Sequence, residues 1–519
     1  MKIKDTLLES DFPLDVDDEH FHRHELTEIL TSGGQGVVCK TNDPELLVKL
    51  PLADAATRKM LTDPNEIERH KRKYLGLSLL PIPEDIPLAL PAASLSDTAG
   101  YIMPLVGGMV EFGEQFFLKK AQAKAMYKER EIPNWLSKLF EQEDEIKKGK
   151  GNYFSLEIIH YLNGGGLRRR LTALTKCASI LARLHAHGFV YVDLSPGNVF
   201  ISDSIEHSEV WMIDADNLRY EGTEGTNYFT PGYGAPEVVQ ERGNASQLSD
   251  SYAFAVMVFI LLSMTNPFDG IALESNDDEG DWADEDEWGS DFGGGDSELS
   301  ADKKKEFGML SFVDDINDNS NEAPNRGLPR QLVLTEQLKV CCQKTLGEGR
   351  TEPTKRTHMY LWATALAQAE DVTIACKGCG MTYYPHQTEC PYCQSTLPSY
   401  VKMTAYSDQT KQTVVWEWAR EVSEDKVLMV PQRLGLPFSL KDNAKTFIEI
   451  QKRKQQFVIK CLDESLLVHW ATSSENDGEF RRLAGDLVFT PEIGNDGLYL
   501  YIESTNSRLI HLQLFGERA

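Results

Sequence analysis

The sequence predicts an α+β chain with a mixed strand-and-helix part, then a compact cysteine knuckle, then an all-β C-terminal part. Three observations predict it. Short apolar runs alternate with helical patterns up to the acidic stretch near residue 274; four cysteines read Cys-x2-Cys-x10-Cys-x2-Cys from Cys376 to Cys393; and after Ser399 strand-like runs follow one another between polar turns. At 519 residues and 41% hydrophobic content the chain is long enough for roughly two to four domains.

Strand candidates open the first part: "GVVCK" from Gly36, "LLVKL" from Leu46 and "GYIMPL" from Gly100 are short, apolar and bounded by polar, Gly or Pro residues. Leu167, Leu171, Leu174, Ala178, Leu181 and Leu184 recur at three or four residues and predict an amphipathic helix. Between Gly107 and Gly166 lies a charged insertion, "FFLKKAQAKAMYKER", whose lysines read as a solvated helix face. From Glu274 to Asp302 the chain carries thirteen carboxylates and no Lys or Arg, which predicts a disordered loop. Trp282, Trp288 and Phe292, spaced through that acid, suggest a docking peptide for a basic groove. In the last part "TVVWEW", "KVLMV", "TFIEI", "FVIK", "LLVHW", "DLVF", "LYLYI" and "LIHLQLF" predict a sandwich or barrel, with Asn495-Asp496-Gly497 as a turn.

Several function classes are disfavoured. No run approaches the ~18 apolar residues of a membrane span. The N-terminus "MKIKDTLLESDFPLDVDDEH" is acidic where a secretory leader is basic and then apolar, so a cytoplasmic protein is expected. A net charge of -27 argues against a general grip on nucleic acid.

The chemistry-bearing residues come in an order. "TSGGQGVV", Thr31 to Val38, is a Gly-rich turn between strands where backbone amides can approach phosphate; a hairpin turn with no ligand is the plain alternative. Lys49 closes an apolar strand thirteen positions after Gly36. A partner acid for it is expected from "NEIERHKRK", with Glu68 the first choice and Glu66 left open. Asp193 and Asn198 sit five residues apart in "GFVYVDLSPGNVFIS", and Asp214 follows sixteen residues later at the end of "VWMIDADN". An Asp, an Asn and a second Asp in this order suit a cation and a phosphoryl acceptor.

This ordered set resembles the eukaryotic-like protein kinases, and "TPGYGAPE" from Thr230 and "SDSYAFAVMVFILLSMTNPF" from Ser249 carry the resemblance further. It implies a bilobal protein-kinase-like fold over roughly residues 20 to 370. It also implies that Lys49 holds the α- and β-phosphates, Asp193 orients the acceptor hydroxyl, and Asn198 and Asp214 bind Mg²⁺ or Mn²⁺. Gly33, Gly34, Gly36 and Val38 would line the phosphate loop, with Met103 as gatekeeper and Pro104 to Val106, Leu105 among them, as the hinge facing adenine. On this mapping the stretch from Ser249 is the helix that anchors the C-lobe, Asp250 is its buried acid, and Glu237 pairs with Arg356. The implied activity is ATP-dependent phosphorylation of protein Ser or Thr. The alternative is a catalytically weak scaffold that binds nucleotide.

Departures from the family pattern feed that alternative. Tyr191-Val192 stand where His-Arg precede the catalytic aspartate, Ser195 replaces a catalytic-loop lysine, and Asp216 replaces the glycine after Asp214-Ala215. Cys376, Cys379, Cys390 and Cys393 predict one structural Zn²⁺, with His386 a loop residue. A kinase running into a knuckle that ends in "CPYC" is similar to bacterial kinases of tellurite-resistance-type gene sets, which implies a von Willebrand A-type protein and a PP2C-type phosphatase as companions. The expected organisation is an N-lobe at 20–106, a C-lobe at 107–370 holding the acidic loop 274–302, a zinc ribbon at 371–399 and an all-β domain at 400–519.

Overall fold

The computed structural model of the protein describes residues 13–33, 36–54, 59–119, 122–123, 154–274, 300–323, 326–386, 388–407, 411–472, 480–490 and 497–516. Gly34, most of the lysine-rich insertion, Trp282, Trp288, Phe292 and the Asn495-Asp496 turn lie outside the described residues. The chain divides into two compact units, residues 1–115 with 183–250, and residues 116–182 with 251–519.

The first unit is built on a six-stranded antiparallel sheet in the order Asp15–Asp17, Arg23–Gly33, Gly36–Thr41, Leu46–Leu50, Tyr101–Pro104, Ala93–Ser94. Alternation along these strands drives Val37, Cys39, Val48, Leu50 and Ile102 into one core. Glycine is required at Gly36, because a Cβ there would lie 2.5 Å from the Leu50 carbonyl oxygen of the neighbouring strand. Helix Pro64–Ser78 starts at Asp63, whose side chain accepts from the Asn65 amide, with Pro64 in its first turn. It buries Tyr74 and Leu77. The unit also contains a three-stranded sheet, Val210–Met212, Val199–Ser202, Met109–Glu111, and a two-stranded ribbon of Phe189–Val190 with Arg219–Tyr220.

The second unit contains helices Phe154–Asn163 and Met359–Asp371, most of helices Gly166–Ala186 and Gln247–Ser263, the cysteine knuckle and the β-rich part. The β-rich part has two sheets. One has the order Val414–Glu421, Tyr400–Tyr406, Leu509–Phe515, Leu498–Ile502, Val468–Ala471, Arg481–Arg482; the other runs Val427–Pro431, Thr446–Arg453, Gln456–Cys461, Leu487–Phe489. Strand Tyr400–Tyr406 was not among the expected ones, yet it pairs on both sides, with Val414–Glu421 and with Leu509–Phe515.

A buried network ties these sheets to the helices. The Arg433 guanidinium donates to both carboxylate oxygens of Asp371 at 2.8 Å and to Glu370 at 2.8 Å. Trp416 Nε1 donates to Asp371 at 2.7 Å, Arg168 donates to Glu421 at 2.9 Å, and Asn443 donates to the Ser179 hydroxyl at 2.9 Å. Asp371 is fully buried, so its charge depends on these partners. A cavity of about 160 Å³ lies against the network, lined among others by Thr175, Lys176, Trp418 and Arg420.

The ends of the expected acidic loop are ordered. Glu274 closes helix Ile271–Glu274, and Ser300 caps helix Ala301–Glu306, whose Lys305 pairs with Asp269 at 2.7 Å. Residues 275–299 lie outside the described residues. Among the described residues no helix is long and apolar enough to cross a membrane.

Candidate nucleotide and metal sites

The geometry of the first unit's site begins with a strained residue. Val192 has φ of +83°, in the left-handed region that a β-branched side chain disfavours by about 1–3 kcal/mol. Asp250 holds it there: its carboxylate accepts the Tyr191 amide at 2.7 Å, the Val192 amide at 2.9 Å and His185 Nε2 at 3.0 Å. The chain thus turns sharply just before Asp193. Tyr191 stabilises the same loop, because its hydroxyl donates to the Ile213 carbonyl next to Asp214.

Asp193 is buried, and its Oδ1 accepts the Thr230 hydroxyl at 2.9 Å. Asn198 Nδ2 donates to the Asp193 carbonyl at 2.8 Å, which fixes the orientation of the Asn198 amide. Asp214 is itself left-handed, at φ 57° and ψ 46°, and its carboxylate accepts from Lys49 Nζ. Lys49 also donates to Asp216 Oδ2 at 2.8 Å, and Asp216 Oδ1 accepts the Tyr101 hydroxyl.

Charge follows from this packing. Burial is the largest influence on Lys49 and would lower it, but Asp216 and Asp214 together outweigh burial and raise the ammonium above its ordinary value. Two carboxylates then share one ammonium. Burial, with Asp216 alongside, pushes the Asp214 carboxyl up against the pull of Lys49. A divalent cation is the natural relief for that excess of negative charge.

The expected Lys49 partner on the helix is not brought to it. Glu68 pairs with Arg72 at 2.9 Å and Glu66 with Arg69 at 3.7 Å, and their side chains are 55% and 43% exposed. At 100° per residue Glu68 lies about 120° round the helix from buried Tyr74, so it faces away. The helix instead presents Lys73, whose Nζ donates to Asn217 Oδ1 at 3.0 Å. Burial is the largest influence on Lys73 and pushes its ammonium down, against Asp216.

Gly33 and Gly36 face each other across the hairpin, and half-buried Val38 pairs with Lys49. Met103 is buried in strand Tyr101–Pro104. The Leu105 amide already donates to the Glu45 carbonyl at 2.7 Å, so that amide is not an adenine donor in this conformation.

In the second unit Cys376, Cys379, Cys390 and Cys393 place their sulfurs within 4.8 Å of one another. The Cys376–Cys393 and Cys379–Cys390 sulfur separations are 3.5 and 3.7 Å. Tetrahedral zinc with Zn–S near 2.3 Å needs sulfurs about 3.8 Å apart, so the set fits. The Cys390 thiol, hydrogen-bonded to Cys379, is held down to about 5, while the same hydrogen bond pushes Cys379 up, so the pair shares a proton that a soft metal would displace. The knuckle is set among helices: Thr382 accepts the Arg168 amide at 2.9 Å, and the Tyr384 hydroxyl donates to the Val333 carbonyl at 3.2 Å.

Residues 169–288 match the family model described as protein kinase domain. The chain therefore carries a protein kinase domain, and serine/threonine kinases, one of them bacterial, are among its homologues. Ribosomal protein S6 kinase alpha-3 of Homo sapiens is 32% identical over 127 residues, covering 22% of this chain and 17% of that protein. The DNA damage-responsive serine/threonine-protein kinase RqkA of Deinococcus radiodurans is 32% identical over 116 residues, covering 21% of this chain and 17% of RqkA. CBL-interacting protein kinase 4 of Oryza sativa subsp. japonica is 29% identical over 129 residues, covering 22% and 28%. The chain thus spans only about a sixth of the length of the first two relatives. Asp193, Asn198 and Asp214 fall inside the family match; Lys49 and the N-terminal sheet fall outside it.

Proposed function

We propose that the protein binds ATP with Mg²⁺ or Mn²⁺ and transfers the γ-phosphoryl group to serine or threonine hydroxyls of a protein substrate. The observation that carries this is the meeting of Lys49 with Asp214 in the same unit as the Asp193–Asn198 loop, which Asp250 holds in a strained turn.

Each residue has a role in this reading. Lys49 holds phosphate oxygens, Asn198 and Asp214 offer oxygen ligands to the metal, and Asp193 orients the acceptor hydroxyl and receives its proton. The metal, when bound, supplies neutralisation of charge on the phosphates. Gly33, Gly34, Gly36 and Val38 cover the phosphates, and Met103 and Leu105 flank the base. Tyr191 and Asp250 act by holding the loop, without touching substrate.

Zinc held by Cys376, Cys379, Cys390 and Cys393 is structural, because four thiolates leave no open position for chemistry. A reduced four-thiolate site suits the cytoplasm. The domain limits 20–106, 107–370, 371–399 and 400–519, signalling in a bacterium, and a von Willebrand A-type protein and a PP2C-type phosphatase as companions belong to the same reading.

A specific observation favours a second reading. Ser195 brings no cation to the transferring group, so a nucleotide-binding scaffold with weak catalysis competes. Calorimetric titration tests the shared premise: ATP should bind wild type with a strong dependence on Mg²⁺, and Asp214→Asn should lose that dependence. Absence of ATP binding in wild type, with either metal, would remove both readings.

A further inference from the structure

The residue that anchors Lys49 is not where a helix-borne acid would be. Helix Pro64–Ser78 pairs Glu66 and Glu68 with its own arginines and sends Lys73 toward the segment after Asp214. A cation cannot anchor a lysine. The counter-charge comes from Asp216, which is only 6% exposed and accepts from Lys49 Nζ at 2.8 Å with one oxygen and from the Tyr101 hydroxyl with the other. Lys49 and Tyr101 are register partners on adjacent strands, so one carboxylate bridges both strands.

We propose that Asp216 is the positioning residue for Lys49, taking the place of a helix glutamate and aiming the ammonium at the nucleotide phosphates. The inference rests on the nucleotide reading given above. It also separates two tasks. Asp214 must turn to the metal during the reaction and cannot hold Lys49 as well; Asp216, tied to the sheet through Tyr101, can keep the lysine in place while Asp214 does so. Lys73, bonded to Asn217 Oδ1 at 3.0 Å, sets a positive charge beside the same segment and offsets the added aspartate. The helix thus carries the cation and the segment carries the anion, so the placement of Lys49 does not wait on either helix glutamate.

The test measures ATP and adenosine affinity of the full chain in Mg²⁺ for wild type, Asp216→Asn, Glu66→Gln, Glu68→Gln, Lys49→Met and the Lys49→Met/Asp216→Asn double variant. Asparagine keeps the shape and an acceptor for Tyr101 but loses the charge. Asp216→Asn should weaken ATP by about 10- to 100-fold, the range of one charge-assisted hydrogen bond, and leave adenosine within about twofold. Both glutamate variants should bind like wild type. In the Lys49→Met background Asp216→Asn should add less than about twofold, because it acts through the lysine. Equal loss of ATP and adenosine would assign Asp216 to packing and overturn the inference. So would wild-type ATP affinity in Asp216→Asn, or a tenfold ATP loss in either glutamate variant. Wild-type protein that binds neither ligand would overturn the nucleotide reading itself, an outcome distinct from the others.

Discussion

Asp250→Asn tests how the catalytic loop is held. The carboxylate is 1% exposed and accepts three hydrogen bonds, from the Tyr191 and Val192 amides and from His185. An asparagine offers one oxygen, and its amide group confronts a backbone N–H with another donor. One buried N–H is then orphaned, at about 1–3 kcal/mol. The left-handed Val192 adds about 1–2 kcal/mol of strain that the remaining contacts must hold. That strain is present in wild type too, so the orphaned donor sets the loss at about 1–3 kcal/mol, which lowers the melting of the first unit by several degrees, at about 2–4 °C per kcal/mol for a unit of this size. Val192→Gly relieves the strain in either background, so it should recover roughly 1 kcal/mol of the Asp250→Asn loss. The assay is differential scanning calorimetry of the four proteins, with ATP binding alongside. An unchanged melt in Asp250→Asn, or no recovery in the double variant, would refute the reasoning.

Three further outcomes follow from the second unit. Cys390→Ser should abolish stoichiometric zinc by elemental analysis and open new proteolytic cleavage between residues 375 and 399, with ATP binding retained; metal-replete, reduced wild type without zinc would contradict this. Asp371→Asn leaves buried Arg433 without its bidentate partner and should cost about 3–5 kcal/mol, seen as earlier melting and faster proteolysis of the β-rich part. The same network predicts acid sensitivity. Burial would raise the Glu370 and Glu421 carboxyls, but Arg433 and Arg420 beside Glu370, and Arg168 beside Glu421, hold both below their ordinary 4.5. A depressed carboxylate stabilises the fold fully above its unfolded value, so this contribution is present above about pH 5 and lost as pH falls through 4.5 and below. Near-ultraviolet circular dichroism of the Trp416 region should record the loss between about pH 5 and 3; a flat profile would contradict it.

Much of the fold was legible because its signals are local. Short apolar runs bounded by polar, Gly or Pro residues mark Gly36–Thr41, Leu46–Leu50 and most strands of the β-rich part, and the cysteine spacing marks the four-sulfur cluster. Strand Tyr400–Tyr406 was missed because Lys402 and Thr404 dilute its apolar character, although pairing on both sides makes it central. Periodicity in the sequence does not separate Glu68 from Glu66, because it leaves the helix phase open; buried Tyr74 and Leu77 set that phase and turn Glu68 outward. Asp216 read as a lost glycine, since its partners Tyr101 and Lys49 lie 115 and 167 residues away in sequence. For the same reason the Arg433–Asp371 pair, 62 residues apart, left no local pattern to read.

The central claim is phosphoryl transfer, and the most direct measurement is radiolabelled ATP with Mg²⁺ or Mn²⁺ and a generic basic protein acceptor, comparing purified wild type with Asp193→Asn. The account predicts acid-stable phosphoserine or phosphothreonine in the wild-type reaction, and loss of transfer by at least about 100-fold in Asp193→Asn with ATP affinity nearly unchanged. Equal residual phosphorylation in the two proteins would contradict catalysis at this site and leave the nucleotide-binding scaffold as the function of the fold.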